Sequence, residues 1–167
     1  PAAIDSECGG YLTALDRDGT VIHTDKPVWF AGRFAWMLAT LYNTVEQRPE
    51  WLEYAKHGLD FMHAHCFDAD GRMFFSVTRE GKPLRKRRYL FSESFAVIAH
   101  AAYGIAANDA AATQQARDIF DLILRYNSTP GSTDPKVCPE TRPMKGLATP
   151  MILIATAQEL RKAGHEE

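Results

Sequence analysis

The sequence predicts an all-α fold in which helix pairs repeat around an axis as part of a toroid, with two small β-hairpins between the pairs. Three observations carry this prediction: five stretches of helical periodicity, an internal repeat of 61 residues, and an alternation between helices apolar on every face and helices with a polar face. Residues 9–24 read as a hairpin, Tyr11–Leu15 and Thr20–Thr24 flanking the turn Asp16-Arg-Asp-Gly19. A helix follows from Pro27 toward Pro49, where Trp29, Arg33, Trp36/Met37, Thr40/Leu41 and Thr44/Val45 recur at three and four. A second runs from Glu50 to about Cys66 and stops at Asp68-Ala-Asp-Gly71. Residues 72–78 and 83–89 form the second hairpin around Glu80-Gly81, and helices resume at about 91–107, 110–126 and 147–163.

The repeat organises these elements. A shift of 61 residues superposes Phe34, Ala35, Met37 and Tyr42 on Phe95, Ala96, Ile98 and Tyr103, and then Ala55, Lys56, Asp60 and Met62 on Ala116, Arg117, Asp121 and Ile123. One gap-free frame therefore aligns two consecutive helices with two later ones. A helix pair cannot bury both faces alone, so such units stack or close into a ring. Trp29–Tyr42 and Phe91–Tyr103 are apolar or small at almost every position, as inner helices must be, whereas residues 50–66 and 110–126 carry polar outer faces. The chain is expected to be one partial toroid domain over 1–167, about two and a half pairs, with an apolar face of the third inner helix uncovered.

Composition bounds the function. The 167 residues are 46 % hydrophobic and 24 % charged, with 19 Lys+Arg against 21 Asp+Glu and a net charge of −2, which excludes disordered and supercharged classes. Nothing in that balance draws the chain to nucleic acid or to an anionic membrane. The longest apolar runs, such as Met151–Ala155, fall far short of the ~20 residues of a membrane-spanning helix. Cys8, Cys66 and Cys138 are odd in number and far apart and form no metal-ligand spacing, so free thiols and a cytoplasmic setting are expected, with no bound metal. The chain opens at Pro1 without a basic-then-apolar leader, and its true start is expected to lie elsewhere.

Arg33 is the sharpest candidate. On an inner helix a guanidinium either pairs internally between neighbouring helices or presents its donor fork to a central pocket that takes a hydroxyl-rich or anionic ligand. Ser92 and Glu93 open the next inner helix, and Thr149, Pro150 and Met151 open the third, so in a toroid of parallel inner helices these positions and Arg33 meet at one mouth. Glu93 is also an ordinary first-turn acid favoured by the helix dipole. The turns at Asp16–Gly19 and Asp68–Gly71 lack the further ligands of a calcium loop and read as Asx-type turns. The basic run Arg85-Lys-Arg-Arg88 reads either as a solvated strand edge or as a contact for a phosphate-bearing effector. The six histidines, His23, His57, His63, His65, His100 and His165, form no nucleophile or metal pattern.

Five ordered segments carry a family resemblance: Glu7-Cys-Gly-Gly-Tyr-Leu with Leu15-Asp-Arg-Asp-Gly19, Asp25-Lys-Pro-Val-Trp-Phe-Ala-Gly-Arg-Phe-Ala-Trp-Met37, Phe74-Phe-Ser-Val-Thr-Arg-Glu-Gly-Lys-Pro83, Phe91-Ser-Glu-Ser-Phe95, and Arg142-Pro-Met-Lys-Gly-Leu-Ala-Thr-Pro-Met-Ile-Leu153. Together they resemble the N-acylglucosamine 2-epimerase family, which includes the renin-binding proteins. The resemblance implies an (α/α)6 toroid of six helix pairs and interconversion of N-acetylglucosamine and N-acetylmannosamine by moving the proton on C2 of the ring-opened sugar. It assigns Arg33 to substrate-oxygen binding and enolate stabilisation, and the shared mouth makes Glu93 and Met151 the further expected substrate contacts. The family's two catalytic histidines belong to its later half and have no counterpart among these residues, so the chain is expected to be catalytically incomplete. A non-catalytic sugar-binding or protein-interaction module of the same fold is the alternative. Relatives acting on cellobiose carry Asn and His where this sequence has Ala148-Thr-Pro-Met151. The resemblance further implies no cofactor for the chemistry, ATP as an allosteric effector near residues 127–145 with Arg142 and Lys145 as phosphate contacts, and a homodimer.

Overall fold

The computed structural model describes residues 2–87 and 89–164. Its elements in order are β1 (Ala14–Leu15), β2 (Val21–His23), β3 (Lys26–Pro27), α1 (Val28–Thr44), α2 (Pro49–His65), β4 (Ser76–Val77), β5 (Pro83–Arg85), α3 (Phe91–Ala107), α4 (Ala110–Ser128) and α5 (Ala148–Lys162). All five helices fall where the periodicity places them. Their ends have local causes. Pro49 stands at the first position of α2, where a missing N–H costs nothing. Asn108 closes α3 in the left-handed conformation at φ 51°, and the Asp109 carboxylate then caps α4 by accepting from the Ala111 and Ala112 N–H groups.

The strands differ from expectation in one respect. β1 and β2 pair as an antiparallel hairpin, and β4 and β5 form the second, but Lys26–Pro27 adds a third strand in the order β3-β4-β5. The sequence assigned Pro27 to the first turn of a helix. It stands instead at the N-cap with extended backbone, and the Val28 N–H reaches the Phe75 carbonyl at 2.9 Å. That pairing joins residues some fifty positions apart, which local periodicity does not report.

α3 is the central element and packs against each of the other four helices. Ala96, Val97, Ala99 and Ala101 are fully buried, and their small size lets the neighbours come close. One close approach is at Gly32 of α1, where an added Cβ would stand 2.9 Å from the Phe95 backbone. The outer helices repeat even at their surface: Lys56–Asp60 on α2 and Arg117–Asp121 on α4 are equivalent i,i+4 ion pairs under the 61-residue shift. α5 buries Thr156 and Leu160 toward α3 and leaves Leu147, Met151 and Ile154 exposed, the uncovered apolar face the repeat predicts.

A buried ion cluster ties the N-terminal segment to this scaffold. The Asp5 carboxylate and the Lys26 side chain are each 2 % exposed as residues; Lys26 Nζ donates to Asp5 Oδ2 at 2.9 Å and to the Gly9 and Arg79 carbonyls, and Arg79 Nε and Nη2 donate to the two Asp5 oxygens at 2.9 Å. Lys26 Nζ also lies 4.3 Å from the Phe61 ring centre on α2. Burial pushes the Asp5 carboxyl up, but the bonds from Arg79, Lys26 and the Cys8 N–H outweigh it and hold the group well below the usual carboxylate range.

Two expected outcomes follow from this packing. Gly32→Ala costs about 1–3 kcal/mol in urea unfolding, because the added methyl meets backbone that cannot rotate away, whereas Gly146→Ala, with nothing within reach of the new Cβ, stays within ~0.5 kcal/mol. Asp5→Asn costs about 3–5 kcal/mol at pH 7 because it leaves Lys26 buried without its counter-charge. The folded value of Asp5 is depressed, so its contribution is full above the unfolded value near 3.8 and is lost progressively as pH falls toward the folded one; the gap between wild type and Asp5→Asn begins to narrow below about pH 4 and closes only near that depressed value.

Candidate functional site

Arg33 lies in the second turn of α1, immediately after the Gly32 crossing, and its guanidinium carbon stands 5.5 Å from the centre of the Phe95 ring on α3. It has no carboxylate partner among the described residues. Of the two readings, an internal pair or a fork facing a pocket, the structure has the second: Arg33 is exposed because α1 turns this face to a groove rather than to a neighbour. The groove holds a cavity of about 410 Å³ lined by Arg33 and Trp36 of α1, Ser94, Phe95 and Ile98 of α3, and a face of α5 that includes Ile152, Thr156 and Glu159. α3 forms its back and α1 and α5 its sides.

The lining residues show how the three helices run. Arg33, Ser94 and Ile152 lie within the first two turns of α1, α3 and α5, and Trp36, Ile98 and Glu159 lie further along the same helices. The inner helices are therefore parallel and their N-terminal ends meet at one mouth. The Trp36 indole donates from Nε1 to Glu159 Oε2 at 3.2 Å, joining α1 directly to α5. A second cavity of about 290 Å³ adjoins the first, shares Ser94 and Ile152 with it, and is walled by Tyr126 and the segment around Ser132–Lys136.

The mouth is not built from all the expected residues. Glu93 is fully buried, with Oε1 accepting from the Met73 N–H at 2.8 Å and from Arg72 Nε at 3.3 Å. Arg72 in turn donates to the Arg87 and Tyr89 carbonyls, so Glu93 Oε1 fastens the second hairpin to α3, while Oε2 is buried with no hydrogen-bond partner among the described residues. Burial holds its carboxyl above the usual range, against the opposing pull of the Met73 N–H and Arg72. Met151 is 67 % exposed and does not line the cavity, although it shares a helix face with Ala155 and Gln158, which do; the lining on α5 begins at Ile152. Ser92 is buried, Pro150 is exposed, and Thr149 lines only the adjoining cavity. The expectation that Arg33, Glu93 and Met151 share one mouth is thus corrected to Arg33 with Ser94, Phe95 and Ile152.

Other sequence features find local partners. Lys86 Nζ sits between Asp68 Oδ2 at 2.6 Å and Asp70 at 2.8 Å, so the second acidic turn holds a side chain of this chain. Arg85 and Arg87 both lie over the Phe75 ring, at 5.6 and 4.2 Å, and Arg88 lies outside the described residues. Arg142 and Lys145 are exposed in the loop before α5 and line neither cavity, although Lys136 of that loop lines the smaller one. The three cysteines are free, and burial pushes the Cys66 thiol up to about 12. Among the described residues no His/Cys/Asp/Glu cluster has the arrangement of a metal site, and no helix is long and apolar enough to cross a membrane. Among the described residues no histidine lines the Arg33 cavity; His100 is buried on α3 with Nδ1 2.8 Å from the Ala96 carbonyl, and His165 lies outside the described residues.

Sequence reasoning missed Trp36, Ser94, Phe95, Ile152, Thr156 and Glu159 as lining residues. A signal for them exists in the spacing: Arg33/Trp36, Ser94/Ile98 and Ile152/Thr156/Glu159 each follow the three-and-four step of a single helix face. That step says which residues share a face, and not which face turns to the groove.

The chain was compared with known proteins. The family model for N-acylglucosamine 2-epimerase (GlcNAc 2-epimerase) matches residues 10–161. The chain is 32 % identical over 167 residues to the N-acylglucosamine 2-epimerase of Bos taurus and 31 % identical over 170 residues to that of Homo sapiens, matching 97 % of this chain in both cases. It spans about 40 % of the length of these curated relatives. Among solved structures it is similar to a cellobiose 2-epimerase from Bacillus thermoamylovorans B4167, with a TM-score of 0.82 and 19 % identity over 99 % of this chain and 47 % of that one. A sugar epimerase from a ruminal bacterium gives a TM-score of 0.80 and 25 % identity over 98 % of this chain and 46 % of that one. The five helices are thus part of an (α/α)6 barrel. With its repeated helix pairs and a family match running from the first hairpin to the last helix, the chain belongs to the N-acylglucosamine 2-epimerase family.

Proposed function

We propose that this chain supplies the arginine-bearing wall of a cavity in which an N-acyl amino sugar is epimerised at C2. The observation that carries the reading is Arg33: an exposed guanidinium with no carboxylate partner among the described residues, held over an aromatic ring beside a cavity whose size suits a small ligand. Epimerisation removes the proton from C2 of the open-chain sugar and returns one to the opposite face, with no net oxidation. The negative charge that develops on the neighbouring carbonyl oxygen needs fixed donors, and a guanidinium with its fork unengaged offers them. The names of the mammalian relatives favour the N-acyl sugars over cellobiose, as does Ala148-Thr-Pro-Met151.

The groups that carry the proton are a separate matter. Among the described residues no histidine stands at the cavity; in this reading the chain binds and polarises the sugar, while the acid and base come from other residues. Its environment is the cytoplasm, in keeping with three free thiols. For the ATP effector, support rests on the exposed Arg142 and Lys145, two cations on the loop whose Lys136 faces the smaller cavity.

The test is titration calorimetry of the chain with N-acetylmannosamine, followed by nuclear magnetic resonance of the sugar for conversion. Binding without conversion is expected. Arg33→Ala weakens binding by about 10-fold or more, the scale of a lost charge-assisted bond, and Arg33→Lys restores only part of it. The same Arg33→Ala change leaves urea stability within about 1 kcal/mol, since only an exposed ring contact is lost. A large loss of stability with no change in binding returns Arg33 to a structural role.

A further inference from the structure

The Trp36–Glu159 bridge has a place in the cavity that lining alone does not explain. Arg33, Ser94 and Ile152 surround the mouth end, and Trp36, Ile98 and Glu159 lie deeper along the same three helices. At that depth the indole N–H of α1 reaches across the groove to the carboxylate of α5 at 3.2 Å, while Ile98 of α3 stands behind. Both Glu159 oxygens are engaged, Oε2 by Trp36 and Oε1 by Lys162 Nζ at 2.6 Å. The carboxylate is therefore held in place from both sides, and its side chain is 17 % exposed. No residue beyond Trp36 on α1 or beyond Glu159 on α5 lines this cavity.

We infer that the Trp36–Glu159 pair is the inner end wall of the sugar cavity and sets the length of ligand it accepts. The inference rests on the amino-sugar reading of the cavity and adds two specificity-determining residues to it. The wall is a planar aromatic side chain bridged to an anion, so it closes the groove to an additional pyranose while presenting a polar edge to the hydroxyl-rich end of a single one. Trp36 does this by area and Glu159 by holding the indole across the gap. Their effect is on which sugar enters rather than on proton transfer.

The experiment compares N-acetylmannosamine with the disaccharide N,N′-diacetylchitobiose, both by calorimetry on the full chain. Wild type is expected to prefer the monosaccharide by at least ~10-fold, the scale of discrimination by pocket size. Trp36→Ala and Glu159→Ala each narrow that preference by about 10-fold through gained disaccharide affinity, and Trp36→Phe, which keeps a ring but loses the N–H that ties it to Glu159, narrows it as Glu159→Ala does. The bridge is checked without sugar: Glu159→Ala shifts one of the three tryptophan indole N–H resonances. An unchanged ratio in folded Trp36→Ala and Glu159→Ala, with the monosaccharide still bound, overturns the end wall and leaves the amino-sugar reading standing. Parallel weakening of both sugars in those variants likewise overturns it. Failure of wild type to bind either sugar overturns the amino-sugar reading, and the end wall with it.

Discussion

The contact on which the rest of this structure depends is the approach of α1 to α3 at Gly32 and Phe95. Without a side chain at Gly32 the two helices meet at backbone distance, and the residue that follows, Arg33, is delivered directly above the Phe95 ring. A methyl group there would push α1 outward and carry both Arg33 and Trp36 away from α3. The groove between α1 and α5, its arginine and its closing bridge are all consequences of that one close crossing. Helix packing of this kind is determined by the smallest side chain in the contact, since it decides how near the axes come.

An ion cluster around buried Asp5 and a buried ion pair hold the non-helical segments against this frame. Asp5, Lys26 and Arg79 join the N-terminal loop, the strand before α1 and the end of the β4 hairpin; Glu93 and Arg72 join α3 to the segment that precedes β4. The sheets themselves are only two or three residues long and bring few ladder hydrogen bonds. Buried charges are a costly way to add stability, but they are selective, because each charge tolerates only a partner of opposite sign at one position. In this fold they specify where the hairpins sit over the helix N-termini, and therefore the shape of the cavity mouth.

Much of the fold is legible in the residues because helices are local. The five helices, the 61-residue frame and the inner and outer character of each helix all follow from hydrophobic spacing, and even the Lys56–Asp60 and Arg117–Asp121 pairs follow from the shift. Arg33 stands out for the same reason, a charge in an apolar stretch. The site is less legible. Glu93 opens α3 as a first-turn acid and looks available to a ligand, yet it is spent on Met73 and Arg72, twenty residues away in sequence. Met151 shares a helix face with Ala155 and Gln158, yet the groove lining on α5 begins only at Ile152, and the placement of α5 against α3 decides where it begins.

The sequence by itself determined the helix content, the repeat, the family and the arginine that marks the cavity, because each rests on residue types at short, regular spacing. Tertiary structure alone decided that Lys26–Pro27 pairs as a strand, that Glu93 and Asp5 are structural, and that Trp36 meets Glu159 across the groove. Those contacts join residues from 20 to more than 120 positions apart. No periodic signal links such pairs: they come together only when Gly32 lets α1 settle on α3 and when α5 packs on its other side, which is a property of the assembled helices and not of any one of them.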